Sequence, residues 1–289
     1  MQKNHLKFLN TIGQHTQISP AIRLIMGCSK FNKTESAKGN EQVKRTEFHD
    51  FFGDNAPIIL PVIHVIDHDQ TARNIETLID AGITRCFLIN HDFDVDRFLP
   101  IIRSIRTRYE DFWIGLNFLA VTGRDAFPIL ATLARQGCHI DAYWADDACI
   151  DEREDEQIEA NNIQNIRQKT GWNGLYFGGT AFKKQREVNP KDYAKSAQIA
   201  GGFMDVVTTS GIATGNAAEI SKVATFRSAL PDKPIALASG ITPENATDYA
   251  MVDCFMVATG ININDDFYNI DPVKLGLLIS KCRKMGKPQ

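Results

Sequence analysis

A (β/α)8 TIM barrel with an N-terminal extension is the α/β fold this sequence predicts, on three observations. From residue 58 onward, apolar runs of strand length alternate with stretches of helical periodicity, eight times over. The strands are apolar without a clear polar face, as in parallel sheet buried on both sides. The last three end alike, each in a small hydroxyl residue followed by glycine: 206–211 (VVTTSG), 235–240 (IALASG) and 255–260 (FMVATG).

Taken in order, the predicted strands lie at 58–65, 86–90, 113–119, 139–144 and 175–178, followed by the three glycine-ended runs. The helices between them fall at 72–80, 95–109, 124–135, 152–169 and 192–200, and the last three start near Ala217, Pro243 and Pro272. Thr242 before Pro243 and Asp271 before Pro272 read as N-caps with proline in the first turn. Gly82, Gly137 and Gly171 stand where helices should close. The acidic run 151–156 reads as a solvated first helical turn that complements the helix dipole. Asp205 and Asp253 precede their strands at matching places, on the face of a barrel that serves stability, so they read as turn residues. Eight units without an internal linker make one domain, 58–289. Residues 1–57 form an extension, partly flexible. Its run at 22–26 suits a strand or a buried helix turn, and its polar stretch at 29–47 suits a mobile loop.

Composition narrows the function classes. Of 289 residues, 43% are apolar and 23% charged, which is enough for a full core. A formal net charge of −3, with basic residues scattered apart from Lys183, Lys184 and Arg186, excludes a nucleic-acid footprint. None of the six cysteines forms a C-x-x-C pair, and Cys86, Cys138 and Cys254 sit at strand starts as small buried hydrophobes. No signal peptide and no membrane-spanning run is evident, and the expected location is cytoplasmic. A homo-oligomer is left open, with residues 1–57 packing under the barrel or against a partner subunit.

Chemistry in this architecture belongs at the C-terminal ends of the strands. Two groups of residues stand there. Ser210, Gly211, Thr214 and Gly215 after strand 6, Ser239 and Gly240 after strand 7, and Thr259 and Gly260 after strand 8 offer hydroxyls and close backbone N–H groups to a phosphate. Lys183, in the loop after strand 5, can add a point charge, a better reading than a Schiff-base lysine because it lies past the strand. The other half of the mouth carries His64, Asp67, His68 and Asp69 after strand 1, Asn90, His91 and Asp92 after strand 2, Asn117 on strand 3, and Asp146 and Asp147 after strand 4. His64 and Asp92 are the acid–base candidates, a histidine beside a carboxylate being able to titrate near neutral pH. Asn117 and Asp146 are orienting groups, and Asn90 is a substrate contact. A divalent metal held by His and Asp is the other use of these residues. Their spacing matches no metal signature, so neither metal ligands nor a cofactor are assigned.

From Pro61-Val62-Ile63-His64 to the C-terminal helix the chain resembles the BtpA/SgcQ-like family. The resemblance rests on the early Val-Ile-His strand, the Asn90-His91-Asp92 turn and Gly115-Leu116-Asn117. Its most specific pieces are the T-T-S-G-x-x-T-G turn at 208–215 and A-S-G-I-T-x-E-N at 238–245. It covers roughly residues 58–275 and implies a TIM barrel of phosphate-binding type. The family is linked to photosystem I accumulation in cyanobacteria and to a sugar-utilisation gene cluster in enteric bacteria. The chain departs at 118–125, which reads FLAVTGRD where the resemblance implies an Arg-Asn-Asp-like run, and residues 1–57 have no counterpart.

The resulting expectation is an enzyme acting on a small phosphorylated metabolite, a sugar phosphate or nucleotide-derived compound, by lyase, isomerase or phosphoribosyl-transfer chemistry. The alternative is a non-catalytic assembly or regulatory factor of the BtpA type that keeps a ligand pocket.

Overall fold

Eight parallel strands close on themselves in chain order, and β8 returns to pair with β1. The computed structural model describes residues 43–53, 56–183 and 185–286; the run at 22–26 and positions 29–42 lie outside the described residues. The first described helix, α1 (Arg45–Phe52), precedes β1 (Ile58–Val65). Then come α2 (His68–Asp80), β2 (Arg85–Asn90), α3 (Val95–Arg108), β3 (Trp113–Phe118), α4 (Gly123–Arg135), β4 (Ala142–Ala145), α5 (Ile158–Thr170) and β5 (Leu175–Gly179). A 3-10 turn leads into α6 (Tyr193–Gly201), followed by β6 (Val206–Ser210), α7 (Ile220–Ala229), β7 (Ile235–Ala238), β8 (Cys254–Val257) and α8 (Pro272–Met285).

Strand alternation divides the apolar residues between two layers. Ile58, Leu60 and Val62 of β1, Phe87 and Ile89 of β2, Trp144 of β4, Phe177 of β5 and Met256 of β8 belong to the set that fills the barrel. The alternate residues, such as Ile59, Ile63, Leu88, Leu116 and Phe255, pack against the helices. The strands are therefore apolar on both sides, and the polar residues that enter the interior near the mouth are exceptions.

Three predicted elements differ. Positions 45–47, read as part of a loop, open helix α1. The helix expected from 152 starts at Ile158, because the Asp151 amide bonds the Gln157 side chain and Asp151 and Glu152 bond Arg186 instead of capping a helix. Glu152 is buried, so the acidic run is not wholly solvated. After β7 there is a 3-10 turn, Ala246–Tyr249, in place of an α-helix. There the Asn245 side chain accepts from Thr242 N and donates to Gly240 O, giving the backbone local partners that compete with a helix. The Asp271 cap is formed, with its carboxylate accepting from Val273 N and Lys274 N.

At the base of the barrel one device occurs three times. Asp141, Asp205 and Asp253 stand just before β4, β6 and β8, and each carboxylate accepts an amide from the first two residues of the preceding strand: Ile114 N at 2.8 Å, Tyr176 N at 2.9 Å and Ile235 N at 2.9 Å. The same oxygen receives an arginine from the helix before that strand: Arg106 at 2.7 Å, Arg167 at 2.5 Å and Arg227 at 2.8 Å. The two aspartates read as turn residues are thus staples between neighbouring strands. At the third staple α1 joins in. Arg45 Nε and His49 Nε2 reach the second oxygen of Asp253 at 2.6 and 2.9 Å, and Phe48 packs beneath the interior against Phe177. Burial alone would raise the Asp253 carboxyl; His49, Arg227, Arg45 and the Ile235 amide outweigh it and hold it below the usual carboxylate range. Cys86, Cys138 and Cys254 are buried free thiols. Among the described residues no helix is long and apolar enough to cross a membrane.

Candidate functional site

The mouth of the barrel holds a cleft lined by the ends of several strands, and the loop after β5 places a lysine in it. That loop is fixed residue by residue. Thr180 Oγ1 meets Ser196 Oγ at 2.7 Å, and Ala181, at φ 46°, offers its carbonyl to Thr209 Oγ1 and to Lys222 Nζ. Phe182 N donates to Gln185, whose amide donates back to Asp146 O and Gly179 O. Arg186 forks onto Glu152. Lys183 N donates to Ser210 Oγ at 2.8 Å, and its Nζ reaches Ser239 Oγ at 2.9 Å and Thr214 Oγ1 at 3.4 Å. Lys222, on α7, was not singled out in the sequence. It is buried between two carbonyls, Ala181 O and Ser210 O, and burial pulls its ammonium down from 10.5 to about 8.

Lys183 extends across the half-site formed by the three glycine-ended strands. Thr214, Gly215, Ser239, Gly240, Thr259 and Gly260 all line the cleft. The amides of Gly215 and Gly240 make no turn, loop or cap hydrogen bond to the described backbone. The reason for glycine differs from close approach of a ligand. A Cβ on Gly240 would lie 2.1 Å from Ala217 N, and one on Gly260 would lie 1.8 Å from Ile241 O. The glycines let three turns stack backbone on backbone, and the hydroxyls and amides are brought together as a result. Gly211 serves the same packing, its Cβ position lying 2.2 Å from Asn216 O, and does not line the cleft. Ser210 is fully buried, held by Lys183 N and donating to Gly211 O, so it anchors the lysine without facing the cleft.

The opposite wall carries His64, His91 and Asp146 over an apolar floor that includes Val62, Ile89 and Trp144. His64 is 5% exposed; its ring stacks on Phe267 at 3.8 Å and meets His91 edge-on at 4.8 Å. Its Nδ1 lies 3.0 Å from Phe267 O. A carbonyl only accepts, so Nδ1 carries the proton and Nε2 keeps a lone pair. Desolvation by burial lowers this imidazole from 6.5 to about 4; the Phe267 carbonyl and Asp92 oppose the shift, while His91 and Lys183 add to it. His64 therefore stays neutral where a near-neutral titration was expected, an acceptor and weak base rather than a proton switch. Asn117 is buried and donates to Asp146 Oδ1 at 3.1 Å. Trp144 is 4% exposed, and among the described residues its Nε1–H has no partner.

Two expected residues stand elsewhere. Asn90 is buried outside the cleft and closes its own turn, donating to Phe93 O and accepting from Leu119 N. Asp92 is exposed at the rim and accepts from Tyr268 OH at 2.9 Å. Asp67 caps α2, and Asp147 bonds Cys149 N. His91, a mouth residue with no role assigned from sequence, and Trp144, absent from the sequence-based site, both line the cleft. Strand alternation carries the signal for both: Phe87, Ile89 and His91 share one side, as do Ala142, Trp144 and Asp146. Phe267, in the loop after β8, gave no sequence signal. Among the described residues no group of three or more His, Cys, Asp or Glu is placed to hold a metal ion.

No protein-family model and no curated protein sequence matches the chain. Solved structures resemble it in fold. The tryptophan synthase α subunit from Legionella pneumophila superposes with a TM-score of 0.57 at 17% identity, covering 83% of this chain and 96% of that one. A truncated form of 3-deoxy-D-arabino-heptulosonate 7-phosphate synthase from Thermotoga maritima gives 0.53 at 16%, covering 85% and 97%. Phosphoribosyl anthranilate isomerase from Thermus thermophilus gives 0.51 at 11%, covering 79% and 99%. The chain is a (β/α)8 TIM barrel, and its structural neighbours include enzymes named for phosphorylated compounds.

Proposed function

We propose that the protein is an enzyme acting on a small phosphorylated metabolite, with the phosphate held by Lys183, Thr214, Ser239, Thr259 and the amides of Gly215, Gly240 and Gly260. The observation that carries this reading is the Lys183 ammonium, 2.9 Å from Ser239 Oγ and 3.4 Å from Thr214 Oγ1, in a half-site lined by Thr259 and by the backbone of Gly215, Gly240 and Gly260. A cation, hydroxyls and glycine N–H groups in one place suit a dianion. Anchoring that end directs the rest of the substrate to the opposite wall. There the Nε2 lone pair of His64 can accept a proton from a hydroxyl or carbon acid, and Asp146, steadied by Asn117, can orient or relay it. The likeness to the BtpA family belongs to the same reading, since it too implies a phosphate-binding barrel.

Melting temperature in the presence of phosphorylated sugars and nucleotides, each beside its dephosphorylated form, tests the anchor. Phosphorylated compounds alone should stabilise the protein, and Lys183→Met should remove that stabilisation while leaving the ligand-free melting temperature within a few degrees. No response to any phosphorylated compound would overturn the reading. Binding without turnover of any ligand would favour the non-catalytic factor over the enzyme.

A further inference from the structure

Among the described residues Lys222 is the only buried lysine, 8% exposed, and it does not line the cleft. Its ammonium is spent inside the protein. Nζ donates to Ala181 O and, at 2.8 Å, to Ser210 O, and it lies over the Tyr193 ring, 5.3 Å from the centroid. Two carbonyls and an aromatic face occupy a group that can only donate. What Lys222 does for a ligand, it does through other residues.

Both carbonyls belong to the setting of Lys183. Ala181 precedes it in the loop after β5, in a left-handed backbone at φ 46° that alanine holds only where its surroundings impose it. Thr209 Oγ1 donates to the same carbonyl at 3.2 Å. Ser210 ends β6; its carbonyl accepts from Lys222, and its hydroxyl accepts from Lys183 N at 2.8 Å. One ammonium on α7 thus ties the strained start of the loop to the residue on which the loop closes. A charged donor holds a carbonyl about twice as strongly as a neutral one.

Resting on the phosphate reading above, we infer that Lys222 is a positioning residue for the phosphate. It presets the loop after β5, so that the Lys183 ammonium stands beside Ser239 and Thr214 before a ligand arrives. The order it imposes on the loop appears as affinity, because a preset cation need not be ordered on binding.

Lys222→Met keeps a long side chain and removes the ammonium. Two measurements on the full chain test the inference: calorimetric titration with glycerol 3-phosphate, and amide hydrogen exchange at Lys183 followed by NMR without ligand. The variant should bind the ester about tenfold more weakly. Its Lys183 amide should exchange faster by about tenfold or more relative to the amides of β1, β2 and β3. A lysine serving stability alone would raise exchange evenly across the barrel and leave the affinity of the folded protein within about twofold. Thr209→Val is the second variant, which decides the matter if Lys222→Met does not fold. It loosens the same carbonyl without changing charge, and should weaken binding about threefold with the same local exchange at Lys183. Unchanged affinity in a folded variant, or exchange at Lys183 that rises no more than elsewhere, would overturn the inference and leave the phosphate reading standing. If the native protein binds neither glycerol 3-phosphate nor inorganic phosphate, the phosphate reading itself fails and this one goes with it.

Discussion

Acid should destabilise this protein through one histidine at its mouth. Buried His64 titrates near 4, against 6.5 for an exposed imidazole. Between those values the unfolded chain binds a proton that the folded chain refuses, so stability falls as pH drops through this window and is fully present above it. With these two values, the loss relative to neutral pH is about 2 kcal/mol at pH 5 and about 3 kcal/mol at pH 4. His64→Asn is the informative variant, because its side-chain amide can still donate to Phe267 O while no longer titrating. Urea unfolding of both proteins at pH 7.5, 6.5, 5.5 and 5.0 isolates the effect, since carboxylates common to both cancel in the difference. The native protein should lose about 2 kcal/mol more than the variant between pH 7.5 and 5. A difference that stays within about 0.5 kcal/mol over that range would refute the reasoning: His64 would then be hydrated, and its role as a neutral acceptor would fall with its burial.

The base and the glycine turns give two further expectations. Asp253→Asn leaves Arg227 buried beside a neutral amide, and breaking such a pair costs about 3–5 kcal/mol. At roughly 2–4 °C per kcal/mol for a domain of this size, circular dichroism should show melting lowered by roughly 6–20 °C, and a drop under about 2 °C would remove the staple from the account. Gly240→Ala puts a methyl 2.1 Å from Ala217 N at φ 69°, so the stacked turns must part, with weaker phosphate binding and lower melting temperature together. Gly215→Ala, whose methyl would find nothing nearer than Thr259 Oγ1 at 3.9 Å, should carry only the backbone strain of about 1 kcal/mol. Equal effects of the two on binding would contradict the packing explanation.

The barrel was legible because eight apolar runs at regular spacing leave few other closed arrangements. Strand limits came within a few residues, since burial on both faces makes the apolar run and the strand nearly coincide. Helix starts were harder to read. At 152 and 243 the same acids, amides and proline that open helices also stabilise turns, and distant partners such as Arg186 decided between them. In the site, residues on the inward parity of their strands, His64, Asn117 and Asp146, stand at or just behind the cleft. Asn90 and Asp92, chosen for residue type, have the opposite parity and turn away. Applying alternation to polar residues as well as apolar ones admits His91 and excludes Asn90. The Phe267 contact depends on the path of a long loop, which no local pattern encodes.

Helix α1 is made before the barrel it closes and is placed last. Its Arg45 donates its amide to Asp232 O and its side chain to Asp253, 208 residues further along the chain. At 5–20 residues per second on a ribosome, those acceptors follow the helix by about 10–40 s. During that interval Phe48 has no barrel floor to enter, and an apolar face waits in the open. The base of the barrel is therefore closed from the N-terminal side only after the final strand has emerged, and a nascent chain stalled before Asp253 would display α1 to any chaperone that binds amphipathic helices.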